Sequence, residues 1–163
     1  MQEKVEVLDS SMEQSHRISV FVPLGLSVVA LVCTIIIYLV PLRATVNLIR
    51  RERRRGEAGT PWTALGIFAR VVFYASLTHS LEIAFWAVLF MICGEFSDFG
   101  TAFYHSAVNY TSLGYGDLIM SPSWRLLGPL ETANGMLLFG VSTAMIFAVM
   151  LWLIQMRFTD LKD

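Results

Sequence analysis

A stretch of seven residues in the second half of the chain, Thr111 to Asp117, has residue types that would let backbone carbonyl oxygens act as ligands. It carries glycines at alternate positions, Gly114 and Gly116. A row of carbonyl oxygens aimed to one side needs backbone angles that L-residues resist, and glycine adopts φ > 0 at little cost. The alternative is an ordinary glycine-rich turn between two helices. The sequence Gly-Tyr-Gly-Asp arises by chance in about one in a thousand chains of this size. The surrounding segments must therefore distinguish a ligand-binding loop from an ordinary turn.

Two ionisable residues, His79 and Glu82, stand in an apolar run and are three positions apart, which places them on one face of a helix. An ionisable side chain in hydrocarbon costs about 2.5–3.5 kcal/mol or more, so the pair should face protein or water. It is either a hydrogen-bonded pair that ties its helix to its neighbours or a proton-sensing element. Two ligands are too few for a metal site, and His105 belongs to a different segment.

The composition is that of a membrane protein. Of the 163 residues, 55% are hydrophobic and 15% are charged, which is too apolar for a typical soluble domain. The net charge of −1 offers no polybasic surface for nucleic acid. Three runs are long enough to cross about 30 Å of hydrocarbon as helices. They are residues 18–42, 71–94 and 132–156.

The arginines between the first two runs predict the orientation, because short loops rich in Lys and Arg stay cytoplasmic. Residues 43–70 set seven arginines against two glutamates: Arg43, Arg50, Arg51, Arg53, Arg54, Arg55 and Arg70 against Glu52 and Glu57. The N-terminal segment 1–17 is therefore expected outside, and the tail 157–163 in the cytoplasm. The cluster from Arg50 to Arg55 is either this topological signal alone or also a site for anionic lipid head groups.

Residues 95–131, between the second and third runs, are expected outside the cytoplasm and contain a different kind of segment. Its first part, Glu95 to Tyr110, is too short and too polar to span a membrane. Ser97 can cap the first turn of a helix, and Asp98 suits the positive helix end. A half-helix that runs into the Gly-Tyr-Gly loop is a re-entrant arrangement, which is tolerated at membrane depth only when it is buried in protein or faces water.

Together these features resemble the pore domain of potassium channels, whose filter usually reads Thr-Val-Gly-Tyr-Gly-Asp. The resemblance covers about residues 68–158 and implies four loops around one axis, with carbonyls that replace the hydration shell of K⁺. It assigns the potassium ligands to the carbonyls of Ser112, Leu113, Gly114 and Tyr115, within a filter completed by Thr111, Gly116 and Asp117. Asp117 would anchor the loop at the outer mouth, while Leu113 and Tyr115 would support it from behind.

The third run resembles the inner helix of KcsA-like bacterial potassium channels through the segment from Gly135 to Ala144. Gly135 matches the gating-hinge glycine of that family. The alternative is close helix packing, which Gly135 and Gly140 also suit. Side chains spaced by three or four residues would line a cavity below the filter. They are Met136, Phe139, Thr143 and Phe147.

The chain departs from the family pattern at two filter positions. Ser112 replaces the usual threonine, and Leu113 replaces valine or isoleucine, which removes β-branching behind the filter. The degree of potassium selectivity therefore stays open. The first run is an addition to the two-helix pore unit, and it lacks the regular arginines of a voltage sensor.

The sequence thus predicts an all-α integral membrane protein with three transmembrane helices, a re-entrant pore helix and a selectivity-filter loop. The resemblance implies a homotetramer in a prokaryotic plasma membrane that conducts K⁺ passively, with no cofactor beyond the ions and with His79 and Glu82 as a possible pH-dependent gating pair. The rivals are a weakly selective cation channel and a non-conducting protein that uses the fold for partner binding or regulation. An enzyme at His79 and Glu82 would need more polar residues than the sequence offers.

Overall fold

The computed structural model describes the backbone of residues 2–55 and 61–160 and the side chains of residues 20–51 and 62–156. All regular elements within these ranges are α-helices, as predicted. They are α1 (Gln2–Arg55), α2 (Pro61–Ile92), α3 (Phe99–Tyr110) and α4 (Leu127–Asp160).

Three of the four helices are long and apolar enough to cross a membrane, as the sequence predicts. Their apolar stretches are Val20–Arg51, Trp62–Ile92 and Leu127–Met156, and an 18-residue part of each has a mean hydropathy of 2.8, 1.5 and 2.4, respectively. The remaining helix, α3, has 12 residues and is too short to span. It leads directly into the loop at Thr111 to Asp117, as expected for a re-entrant segment.

Helix boundaries differ from the expected ones at two prolines and at the start of α2. Pro41 lies at the end of the first predicted run, residues 18–42, and Pro23 lies near its start, but α1 continues through both. A proline inside a helix frees backbone groups, yet membrane helices tolerate this when local adjustments satisfy them. Helix α2 begins at Pro61, inside the expected linker 43–70, and proline is favoured at a first helical position because its missing N–H is unused there.

The N-terminus of α3 is capped by Asp98 and not by Ser97, which was the predicted cap. The Asp98 carboxylate accepts hydrogen bonds from the Thr101 backbone N–H at 2.8 Å and from the Thr101 hydroxyl at 3.1 Å. These bonds lower the pKa of Asp98. A carboxylate does this better than a serine hydroxyl because its charge also matches the positive end of the helix.

The chain divides into two compact units, and α1, α2 and α4 contribute residues to both. The first, here called the filter unit, comprises Met1–Cys33 and Ile83–Met136. Its core consists of buried apolar residues that surround the end of α3: Ala30, Trp86, Phe90, Tyr110, Met120 and Leu127. The second, here called the helical unit, comprises Thr34–Glu82 and Leu137–Asp163, with a core around Ile67, Val71 and Val149.

Gly135 is the point at which α4 meets the end of α3 in the filter unit. A Cβ at this position would lie far inside van der Waals distance of the Tyr110 carbonyl oxygen and 3.2 Å from two atoms of its ring. The contact is with backbone, which cannot rotate away. This geometry supports the packing alternative for Gly135, and the hinge motion stays a prediction.

We expect Gly135→Ala to destabilise the protein by about 1–3 kcal/mol, because the added methyl forces α3 and α4 apart. The measurement is thermal unfolding of the purified protein in detergent. Gly25→Ala is the matched control, since no atom lies within 4 Å of the Cβ that it adds in the same unit. Equal melting temperatures for the two variants would contradict the packing role of Gly135.

Candidate functional site

The loop that follows α3 has left-handed backbone at every second residue. The φ angles are +58° at Ser112, +60° at Gly114 and +72° at Gly116. The two glycines take the positive values expected of them. The positive angle at Ser112 was not foreseen, because only glycine signals this conformation in a sequence, and it is costly for a residue with a Cβ. The alternation provides the kind of backbone angles that a one-sided row of carbonyls requires.

The first amides of the loop turn back onto the last turn of α3. The backbone N–H groups of Leu113 and Gly114 both donate to the carbonyl of Val108, at 3.0 and 3.1 Å. The Ser112 N–H donates to Asn109 at 2.9 Å. The Thr111 hydroxyl donates to the Ala107 carbonyl at 2.7 Å. These bonds satisfy helix-end carbonyls that would otherwise lack partners, and they fix where the loop departs.

The far end of the loop is also tied to α3, through Asp117. The Tyr104 hydroxyl donates a hydrogen bond to Asp117 Oδ2 at 2.8 Å. This bond raises the pKa of Tyr104, because removing its proton would place two negative charges together. The expected anchoring function of Asp117 thus has a structural partner in this chain. Sequence reasoning missed Tyr104, whose position on α3 gives no local sign of a contact 13 residues further on.

His105, one residue along α3, supports the segment that leaves the loop. Its ring is buried between Phe90 and Phe96, with ring centroids 5.4 and 4.9 Å away. The ring hydrogen-bonds the backbone of Leu118, directly after Asp117. Burial lowers the pKa of His105, and the nearby Asp117 opposes that shift. The ring is therefore neutral at pH 7, and acidification below its usual pKa of about 6.5 works against this packing.

The loop and the predicted cavity stripe are surfaces of the single chain. Leu113 and Tyr115, expected to support the loop from behind, are 55% and 66% exposed. The side chains predicted to line a cavity are exposed along α4, as is Gly140. They are Met136, Phe139, Thr143 and Phe147. In a single chain, both the loop and the predicted cavity-lining side chains of α4 are therefore exposed.

His79 and Glu82 belong to a buried polar network in the helical unit. His79 Nδ1 lies 3.4 Å from Glu82 Oε2, and its Nε2 lies 2.8 Å from the Ser142 hydroxyl of α4. Tyr38 of α1 donates to the same hydroxyl at 3.0 Å. The His79 ring also stacks on Phe139 at 4.3 Å. The pair predicted from α2 alone is thus connected to both other long helices.

The direction of one hydrogen bond in this network depends on the charge of His79. In the neutral ring with the proton on Nδ1, Nε2 accepts from the Ser142 hydroxyl. In the protonated ring, Nε2 donates to Ser142 instead, and the serine proton must turn to another acceptor. A change of one proton therefore rearranges a contact between α2 and α4.

The predicted lipid-binding arginines fall partly outside the described side chains. Arg50 and Arg51 are exposed near the end of α1. The side chains of Arg53, Arg54 and Arg55 lie outside the described residues. Among the side chains that are described, no group of three or more His, Cys, Asp or Glu residues could hold a metal ion.

Comparison with known protein families gives a match over the site. A family model described as "Ion channel" matches residues 62–151, which is more than half of the 163-residue chain. No curated protein and no solved structure matches the chain significantly. The matched range includes most of α2, all of α3 and its loop, and most of α4. The chain therefore belongs to the ion channel family, whose members are membrane channels and not enzymes.

Proposed function

We propose that the protein is a potassium-selective channel in which four copies of the Thr111–Asp117 loop surround one axis. The observation that carries the proposal is the positive φ at Ser112, Gly114 and Gly116 within a Thr-Ser-Leu-Gly-Tyr-Gly-Asp sequence. Backbone carbonyls of Ser112, Leu113, Gly114 and Tyr115 would replace the hydration shell of a dehydrated ion. Passive conduction then needs no cofactor beyond the ion itself.

The exposure of the loop supports assembly as a homotetramer. A single loop cannot surround an ion, and Leu113 and Tyr115 are too exposed in one chain to be held from behind. Neighbouring copies would cover both side chains and bring four stripes of α4 around a shared cavity. The Thr143 hydroxyl donates to the Phe139 carbonyl at 2.9 Å, and in this arrangement its oxygen could still accept a hydrogen bond from cavity water.

The pattern of arginines supports the orientation and the membrane contacts that we propose. The N-terminus lies outside and the C-terminus in the cytoplasm of a prokaryotic plasma membrane, since the arginine-rich segment stays inside. The exposed Arg50 and Arg51 are available to anionic lipid head groups. Arg53, Arg54 and Arg55 belong to the same proposed site.

The rival within this fold is a weakly selective cation channel. Ser112 lacks the methyl of threonine, and Leu113 lacks β-branching, so the loop is held less stiffly than the usual filter. Such a channel would pass Na⁺ nearly as well as K⁺. The other rival, a non-conducting regulatory protein, would pass neither ion.

Gly114→Ala tests the assignment of the conducting loop. We expect it to reduce K⁺ flux at least about tenfold, because each of four loops would carry about 1–2 kcal/mol of left-handed backbone strain. The measurement is K⁺ flux through purified protein in liposomes. The matched control is Gly66→Ala in α2, where the added Cβ meets no atom within 4 Å and flux should be unchanged. Undiminished flux in Gly114→Ala, with assembly intact, would contradict the assignment.

We further propose that the His79 network adjusts opening to pH. The ring contacts Glu82 and Ser142, Phe139 stacks on it, and Tyr38 donates to the same Ser142 hydroxyl. Phe139 belongs to the predicted cavity stripe, so a rearranged His79–Ser142 contact would act on the inner helix.

Two substitutions test this pH response, measured as K⁺ flux between about pH 5 and pH 8. Ser142→Ala should abolish the response, because it removes the contact whose direction depends on the proton. Glu82→Gln should shift the response, because it removes the carboxylate whose Oε2 lies 3.4 Å from His79 Nδ1. Ser80→Ala is the control, because its hydroxyl bonds only the Ser76 carbonyl of the same helix. An unchanged response in both variants would leave the network with a structural function alone.

A further inference from the structure

Glu131 is a carboxyl group without a charged partner in the interior of the filter unit. It lies in the second turn of α4 and has no exposed surface. Its Oε1 lies 2.5 Å from the hydroxyl of Ser106 on α3. Its Oε2 is buried and has no hydrogen-bond partner of ordinary geometry. A carboxylate buried in this way would carry an uncompensated charge, which proteins avoid by keeping the group protonated.

The number of hydrogens available at Ser106 also indicates, independently, that Glu131 is protonated. The Ser106 hydroxyl lies 2.9 Å from the backbone carbonyl of Ile83 as well as 2.5 Å from Glu131 Oε1. A serine hydroxyl has one hydrogen to donate, and a carbonyl oxygen can only accept. If Ser106 donates to Ile83, the hydrogen between Ser106 and Glu131 must come from Glu131. Both contacts are satisfied together only when the Glu131 carboxyl is protonated.

Glu131 is connected to the end of the loop through two side chains of α3. The Asn109 side chain lies next to the Glu131 carboxyl, without a hydrogen bond of ordinary geometry, and its Nδ2 lies 2.9 Å from His105 Nε2. Because Nε2 accepts from Asn109, Nδ1 is the nitrogen that donates to the backbone of Leu118. The relay therefore runs from Glu131 through Asn109 and His105 to the residue after Asp117.

The charged groups around this relay act on its His105 end and not on its Glu131 end. Asp117 and Glu95 act on the His105 ring, whereas the groups acting on Glu131 are the uncharged Ser106 and Asn109. A neutral Glu131 therefore fits its surroundings on α3, and Ile83 on α2 presents only a carbonyl. His105 accepts a hydrogen bond from Asn109, which requires the neutral form of its ring as well.

We propose that Glu131 is a proton-binding site that holds its proton at neutral pH and positions the filter from behind through Asn109 and His105. The positioning part rests on the proposed function, because it concerns the loop through which K⁺ would pass. The proton-binding part stands without it. Glu131 touches no ion in this account and acts only through the residues of the relay.

Infrared spectroscopy of the purified protein tests the proton directly, whether or not the protein conducts. We expect the carbonyl stretch of an un-ionised carboxylic acid at neutral pH, its loss in Glu131→Gln and its retention in Glu95→Gln. Glu95 is the matched control because it accepts from the Ser121 N–H at 2.7 Å, a bond suited to a carboxylate. Absence of the band from the unmodified protein, or its persistence in Glu131→Gln, would overturn the proposal.

Ser106→Ala provides a second spectroscopic variant that keeps Glu131 in place. Removing the hydroxyl takes away the group that accepts the Glu131 proton, so the carboxylic acid band should move to higher frequency. An unmoved band would overturn the pairing of Glu131 with Ser106. This variant keeps the proposal open to refutation even if Glu131→Gln fails to fold.

The ratio of K⁺ flux to Na⁺ flux in liposomes tests the positioning part. Glutamine can still donate to Ser106, so Glu131→Gln should keep the ratio within about threefold of the unmodified protein. Glu131→Leu cannot donate and should lower the ratio at least about tenfold. A collapse of the ratio in Glu131→Gln, or its survival in Glu131→Leu, would overturn positioning. A protein that passes no K⁺ at all would instead refute the proposed function, and the infrared result would still decide the proton site.

Discussion

The hydrocarbon core of a membrane contains no water to hydrogen-bond backbone amides, so a loop at that depth must form its hydrogen bonds with the protein. The loop after α3 does so by returning its first amides to the last turn of that helix, where Val108 alone accepts from two of them. Its far end is fixed by the bond between Tyr104 and Asp117. The other carbonyls of the loop are the ones that we propose to face an ion. The short helix α3 is thus both the support of the loop and the partner of its backbone.

The position of α3 in turn depends on close contact with α4. Gly135 lets the backbone of α4 approach the Tyr110 carbonyl, and Thr132, three residues earlier, donates to the Asn109 carbonyl at 2.8 Å. Ser106 and Glu131 add a third contact between the same two helices. The first two contacts join uncharged groups, which suits an interior where an unpaired charge is costly, and the third does so with Glu131 protonated as we propose. In the helical unit, hydrogen bonds between side chains also join the helices, because Ser142 bonds both Tyr38 and His79.

Much of this arrangement could be predicted from local sequence patterns, and the rest depends on contacts between distant residues. Long apolar runs predict the spanning helices, and Gly114 and Gly116 predict the positive φ angles of the loop. Ser112 carries no such signal, because its left-handed backbone is imposed by its surroundings. Ser142 meets Tyr38 across 104 residues, and no local pattern indicates such a partner. Glu131 was counted with the outer segment, since a charge next to an apolar run looks like a helix boundary until its partner on α3 is known.

The central claim is that the loop from Thr111 to Asp117 selects potassium. The most direct test is ion flux through the purified, unmodified protein in liposomes, first under a K⁺ gradient and then under an equal Na⁺ gradient. The account predicts flux with K⁺ and little or none with Na⁺, because only the larger ion would be matched by the ring of carbonyls. Equal flux with both ions would contradict potassium selectivity and favour a relaxed filter at Ser112 and Leu113.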